Sequence, residues 1–126
     1  MTYLEKWFDY TNQQMAMQAS IEQAITQVEG SKLNLNEFLL LYFLNQAHDN
    51  RLFQNKLEDK LHLSASAISR MITKLEAKGC GVIAKVTCSQ DKRATYIMLT
   101  PVGKDLLAKV LKEVEDKLAQ YKDILG

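Results

Sequence analysis

The stretch KLEDKLHLSASAISRMITKLEAKG, residues 56–79, decides the fold. Its second half spaces Ile68, Met71, Ile72 and Leu75 as the buried stripe of a helix. The opposite face carries Ser66, Ser69, Arg70 and Thr73, with Lys74 at the flank and few acids. An ordinary solvent face mixes charges of both signs, whereas this one offers short hydroxyls and cations. Ser64 is a strong N-cap for the helix. Ahead of it, a short helix from about Gln54 to Lys60 buries Leu57 and Leu61, and a turn at His62 and Leu63 links the two. Two short helices joined in this way make a helix-turn-helix.

Upstream, residues 3–28 hold Leu4, Trp7, Phe8, Met15, Ile21, Ile25 and Val28 at helical intervals and stop at Gly30. Asn34, with Glu37 three residues later, forms a capping box that opens a helix over residues 35–46, and His48-Asp49-Asn50 breaks it. Downstream the period becomes strand-like. Residues 82–88 and 94–99 are rich in β-branched and aromatic side chains, and the polar run SQDKR, residues 89–93, separates them as the basic tip of a hairpin. Thr100 and Pro101 then pair an N-cap with a first-turn proline and start a helix that continues to the C-terminus. Along it Leu107, Leu111, Val114, Leu118, Tyr121 and Leu125 succeed one another at alternating spacings of 4 and 3, a narrow seam flanked by Lys and Glu. Such a seam predicts a partner helix.

The 126 residues, 47% of them apolar, fit one domain with a small core, and a single Pro with five Gly gives no linker or repeat. The longest apolar run, FLLLYFL at residues 38–44, is far short of the roughly twenty residues that span a membrane. The N-terminus lacks the basic start and continuous apolar core of a secretory signal, so a cytoplasmic protein is expected. Cys80 and Cys88 are then reduced; they are not spaced as a zinc or CxxC site and read as small apolar fillers. His48 and His62 lack neighbours in ligand spacing, so no metal and no cofactor is predicted. Without GxSxG, P-loop or HExxH patterns, no catalytic residue is assigned and an enzyme is not expected. Net charge is only +1, yet residues 70–93 hold six cations (Arg70, Lys74, Lys78, Lys85, Lys92, Arg93) against two acids (Glu76, Asp91), a local excess of four. The basic charge is gathered into one segment.

In this order, the helix-turn-helix of residues 56–79 and the run DKRATYIMLTPVGKDLL at residues 91–107 resemble the MarR family of winged-helix transcription regulators, in its short, accessory-regulator-like branch. The resemblance covers nearly the whole chain, most strongly residues 33–125. It implies a mainly α chain with a small β-hairpin wing (α+β), a winged helix-turn-helix over residues 33–100, and dimerisation helices at 1–30 and 101–126 of a single domain spanning 1–126. The implied partners are double-stranded DNA with a pseudo-palindromic operator, and a second copy of the chain. A small-molecule effector is left open, and no membrane is implied. Three departures stand out: Glu58 where the family has a small alanine, His62 where a glycine often turns the chain, and a link at residues 79–81 about two residues longer than usual.

The chemistry agrees with that expectation. A helix in the major groove needs short hydroxyls for close approach and cations for guanine and phosphate, and Ser64, Ser66, Ser69, Arg70, Thr73 and Lys74 supply them. From the wing, Lys85, Asp91, Lys92 and Arg93 join the set. Arg93 resembles the family arginine that enters the minor groove, and Asp91 would orient its guanidinium. Asp91 and Arg93 equally fit a tight hairpin turn with no ligand. The expected dimer contacts are Leu4, Trp7 and Phe8 of the first helix with Leu107, Leu111, Val114, Leu118, Tyr121 and Leu125 of the last. The competing reading is a winged-helix protein-interaction module without specific DNA binding.

Overall fold

Thr2 begins the first helix by accepting the Glu5 amide on its hydroxyl at 3.1 Å, and α1 then runs Tyr3–Gln27. A turn carrying Gly30 in the left-handed region (φ 84°) leads to α2, Leu35–Gln46. The computed structural model describes residues 1–76, 81–88 and 91–126, with residues 88 and 91–94 by backbone alone. After α2 come a 3-10 turn, His48–Asn50, the strand β1, Arg51–Phe53, and α3, Gln54–Leu61, and then α4, Ala65–Glu76. Strands β2, Ile83–Cys88, and β3, Asp91–Leu99, precede α5, Pro101–Leu118. A second 3-10 turn, Ala119–Tyr121, and a short α6, Lys122–Leu125, close the chain.

The three strands form one antiparallel sheet in the order β1-β3-β2. Ile83 pairs with Leu99 and Thr87 with Thr95, while Leu52 of β1 pairs with Ile97 on the other edge of β3. By packing, the chain divides into two compact units, one of Asn36–Ala108, the other of Met1–Leu35 with Lys109–Gly126. The core of the first unit draws Leu40, Leu41 and Leu44 from α2, Leu57 from α3, Ile68, Ile72 and Leu75 from α4, and Ile83, Ile97 and Leu99 from the sheet. That of the second includes Ala24, Ile25, Leu33, Val110 and Val114.

The turn between α3 and α4 closes in a way that explains its length. His62 sits in the left-handed region (φ 56°, ψ 43°) and its amide donates to the Glu58 carbonyl, as does that of Leu63 at 3.2 Å. A left-handed residue at this point ends a helix and satisfies its last carbonyls. Glycine does this without strain, and histidine holds the same geometry at a cost of about 1–2 kcal/mol.

The start of α5 is fixed by close approach. The Thr100 amide donates to the Val82 carbonyl at 3.1 Å, its hydroxyl donates to the Gly81 carbonyl at 2.6 Å, and the Gly103 amide donates to the Thr100 hydroxyl at 3.0 Å. A Cβ on Gly103 would overlap the Val82 carbonyl oxygen and meet the Leu99 side chain at 2.7 Å. Only glycine lets the first turn of α5 lie this near the base of the hairpin.

Four expectations are corrected. β1 is not among the elements the sequence predicts. β3 begins at Asp91, so Asp91, Lys92 and Arg93 belong to a strand and not to the hairpin tip, which at residues 89–90 lies outside the described residues. The terminal helix is interrupted, because the 3-10 turn at Ala119–Tyr121 advances the chain by three residues per turn in place of 3.6 and rotates the last residues off the seam. Leu107 and Val114 are already covered within the single chain, 1% and 4% exposed, so their apolar surface is spent inside it and they leave the expected dimer set.

Candidate nucleic-acid interface

The expected DNA-facing side chains gather on one side of α4. Ser64 caps the helix: its hydroxyl accepts the Ala67 amide at 3.2 Å and lies 3.3 Å from the Ser66 hydroxyl, while its carbonyl accepts the Ile68 amide at 3.0 Å. The first turn of a helix leaves amides without intrahelical partners, and Ser64 takes one of them; the partial positive charge at this end suits an anion. Because Ile68, Ile72 and Leu75 are buried, the helical period turns Ser66, Ser69, Arg70 and Thr73 to solvent.

These groups are not equally free. Thr73 donates its hydroxyl to the Ser69 carbonyl at 3.0 Å, so an incoming base or phosphate finds its methyl and an acceptor lone pair. Arg70 is exposed, and among the described residues no carboxylate lies within ion-pairing distance of it. Lys74 departs from its expected role as a free phosphate contact. Its ammonium reaches both oxygens of Glu37, at 2.9 and 3.1 Å, and Glu37 is only 1% exposed.

On the wing, Glu76 at the end of α4 ties down the start of β2, accepting the Lys85 amide at 3.3 Å with the Lys85 ammonium 3.8 Å away. Lys85 is therefore exposed but partly offset. The backbone of Asp91, Lys92 and Arg93 forms the start of β3, and their side chains lie outside the described residues, as do Lys78 and Cys80.

Two features escaped the sequence. Glu37 carried a signal only as a helix-capping acid, and nothing in the sequence joins it to a lysine 37 positions on. The other is a stack on the open side of the sheet. The Tyr96 ring lies 4.1 Å from that of Phe53 at an interplanar angle of 23°, and the Arg51 guanidinium sits 4.6 Å from the Tyr96 ring centre. Both contacts arise from the pairing of β1 with β3.

The expected dimer residues fall into two groups. Leu4, Trp7 and Phe8 are exposed on α1, Trp7 at 56% and Phe8 at 52%, and Met15 continues the same stripe; Leu125 is exposed as well. Leu111, Leu118 and Tyr121 are half-buried. The Tyr121 hydroxyl lies 2.7 Å from that of Ser20, which joins α1 to the end of the chain. Among the described residues no helix is long and apolar enough to cross a membrane, and no cluster of His, Cys, Asp and Glu could hold a metal ion.

Comparison with known proteins fits this geometry. The chain is 29% identical over 93 residues to the HTH-type transcriptional regulator YdgJ of Bacillus subtilis, and spans 51% of that protein's length. Among solved structures it matches AbsC, a MarR family transcriptional regulator from Streptomyces coelicolor, with a TM-score of 0.85 and 20% identity over 100% of this chain and 83% of that one. Sco3205, a MarR family regulator from the same organism solved in complex with DNA, gives a TM-score of 0.82 and 20% identity over 95% of this chain and 74% of its own. The family's sequence profile matches residues 33–95, the span from the loop before α2 through the helix-turn-helix into β3. With its capped α4, its β2–β3 wing and that matching profile, the chain belongs to the MarR family.

Proposed function

We propose that the protein is a homodimeric transcription regulator that reads a pseudo-palindromic site in double-stranded DNA, with α4 in the major groove and the β2–β3 hairpin in the minor groove. One observation carries the reading: the exposed face of α4 combines a Ser64-capped N-terminus with Ser66, Ser69, Thr73 and an unneutralised Arg70. Hydroxyls and an amide-rich helix end suit phosphate and base edges, and Arg70 suits guanine. The DNA complex of the structurally similar Sco3205 supports the same orientation.

The dimer is supported by α1. Leu4, Trp7, Phe8 and Met15 form an exposed apolar stripe that a lone soluble chain would seldom leave uncovered. Two copies place two α4 helices on one duplex, and half-sites one helical turn apart then mirror the protein's two-fold axis. An enzymatic activity has no support among these features.

The test is the salt dependence of duplex binding by the purified protein. If the basic face and wing of two subunits neutralise about six to ten phosphates, affinity falls by about 10³ to 10⁵ between roughly 50 and 200 mM salt. An affinity indifferent to salt would favour a winged-helix module that binds protein.

A further inference from the structure

We propose that Glu37 withdraws Lys74 from the DNA-contacting charge of α4, so that Arg70 is the cation this face of the helix presents. The inference rests on the DNA-binding reading and assigns Glu37 a role as a positioning residue acting through Lys74.

Lys74 stands on the recognition helix, where a lysine would ordinarily reach a phosphate. Its side chain is 54% exposed, so solvent access does not hold it back. What holds it is the carboxylate of Glu37 in the first turn of α2, which accepts the ammonium on both oxygens, at 2.9 and 3.1 Å. Glu37 itself is 1% exposed. An ionised carboxylate so far from water depends on its cation, and removing one partner of such a pair is strongly destabilising. A phosphate that captured Lys74 would strip that cation from a buried acid. The duplex therefore meets a neutral pair at this position and releases no counterion for it.

The pair acts in two ways. It straps α4 to α2 across 37 positions of sequence and fixes how far the helix can roll about its axis. It also lowers the sequence-independent part of the binding, which comes from phosphate neutralisation, without touching the base-reading groups. Glu37 thereby raises the discrimination of the helix.

The experiment measures the slope of log affinity against log salt for the full chain on a mixed-sequence duplex, with thermal unfolding in parallel. Each phosphate contact adds about 0.9 to that slope, so each lobe reports separately from the wing. Glu37→Gln keeps the shape and removes the charge. It should free Lys74, steepen the slope by about 0.9 per lobe, and tighten non-specific binding at low salt. Lys74→Met should leave the slope at its wild-type value while lowering the unfolding temperature. Should Lys74→Met fail to fold, the double variant Glu37→Gln with Lys74→Met removes the buried charge as well, and its slope should match the wild type. A slope flattened by about 0.9 per lobe in Lys74→Met or in the double variant, with no change in Glu37→Gln, overturns the proposal and makes Lys74 a phosphate contact. A wild-type slope near zero removes the DNA-binding reading, and this inference with it.

Discussion

At the scale of single residues, Gly103 is the position where the sequence has least freedom. A methyl group there would press on the Val82 carbonyl, which the Thr100 amide already holds, and on Leu99 beneath it. Forcing a methyl into such a contact costs about 1–3 kcal/mol, more than the roughly 1 kcal/mol that alanine gains over glycine inside a helix. Gly103→Ala should therefore lower the thermal midpoint, and a calorimetric scan showing an unchanged or raised midpoint would contradict the close approach. Lys74 shows the opposite situation, a residue whose chemistry was plain and whose partner was not. Its sequence neighbourhood assigns it to phosphate; the fold assigns it to Glu37. A residue's charge is legible in one dimension, but whether that charge is available depends on what folding brings beside it.

Among the elements, those that carry their own signals were legible and those that exist through pairing were not. Helices α1 to α4 start or stop where caps, a glycine and a helical apolar period say they should, within a residue or two. β1 has only three residues, too few to show a period of two, and is a strand because Leu52 and its neighbours hydrogen-bond to β3. The break at Ala119 was hidden because the apolar spacing runs on through it. The wing lies between these cases: its two strands were visible, but the start of β3 at Asp91 was set by cross-strand pairing with Cys88. This placement keeps Arg93 beside the hairpin end, where a cation meets the narrow, electronegative minor groove of A·T-rich DNA. Arg93→Ala should lose most affinity on sites with A·T-rich flanks, whereas Arg70→Ala should relax base preference at one position of each half-site, at about 1–3 kcal/mol. Competition binding against flank-varied duplexes checks both, and an equal loss on every flank for Arg93→Ala removes the minor-groove role.

For the whole molecule, the division of labour between the two units makes assembly testable apart from folding. Trp7 is more than half exposed in the single chain, so the fold does not require its ring. A glutamate in its place would have to be desolvated against a partner's apolar stripe, a cost of several kcal/mol. Trp7→Glu should sediment as a monomer with unchanged circular dichroism, and its operator affinity should fall by orders of magnitude because one lobe contacts one half-site. A Trp7→Glu dimer with undiminished affinity would exclude α1 from the interface. The indole also has optical value, because Trp7 is the only tryptophan in the chain and belongs to the unit that does not contain α4. Intrinsic fluorescence excited at the indole band is thus a label that nature has already attached to the assembling surface. Its emission should move to the blue as protein concentration rises through the dimer equilibrium, and should stay in place when duplex is added to preformed dimer, giving a dye-free readout of self-association.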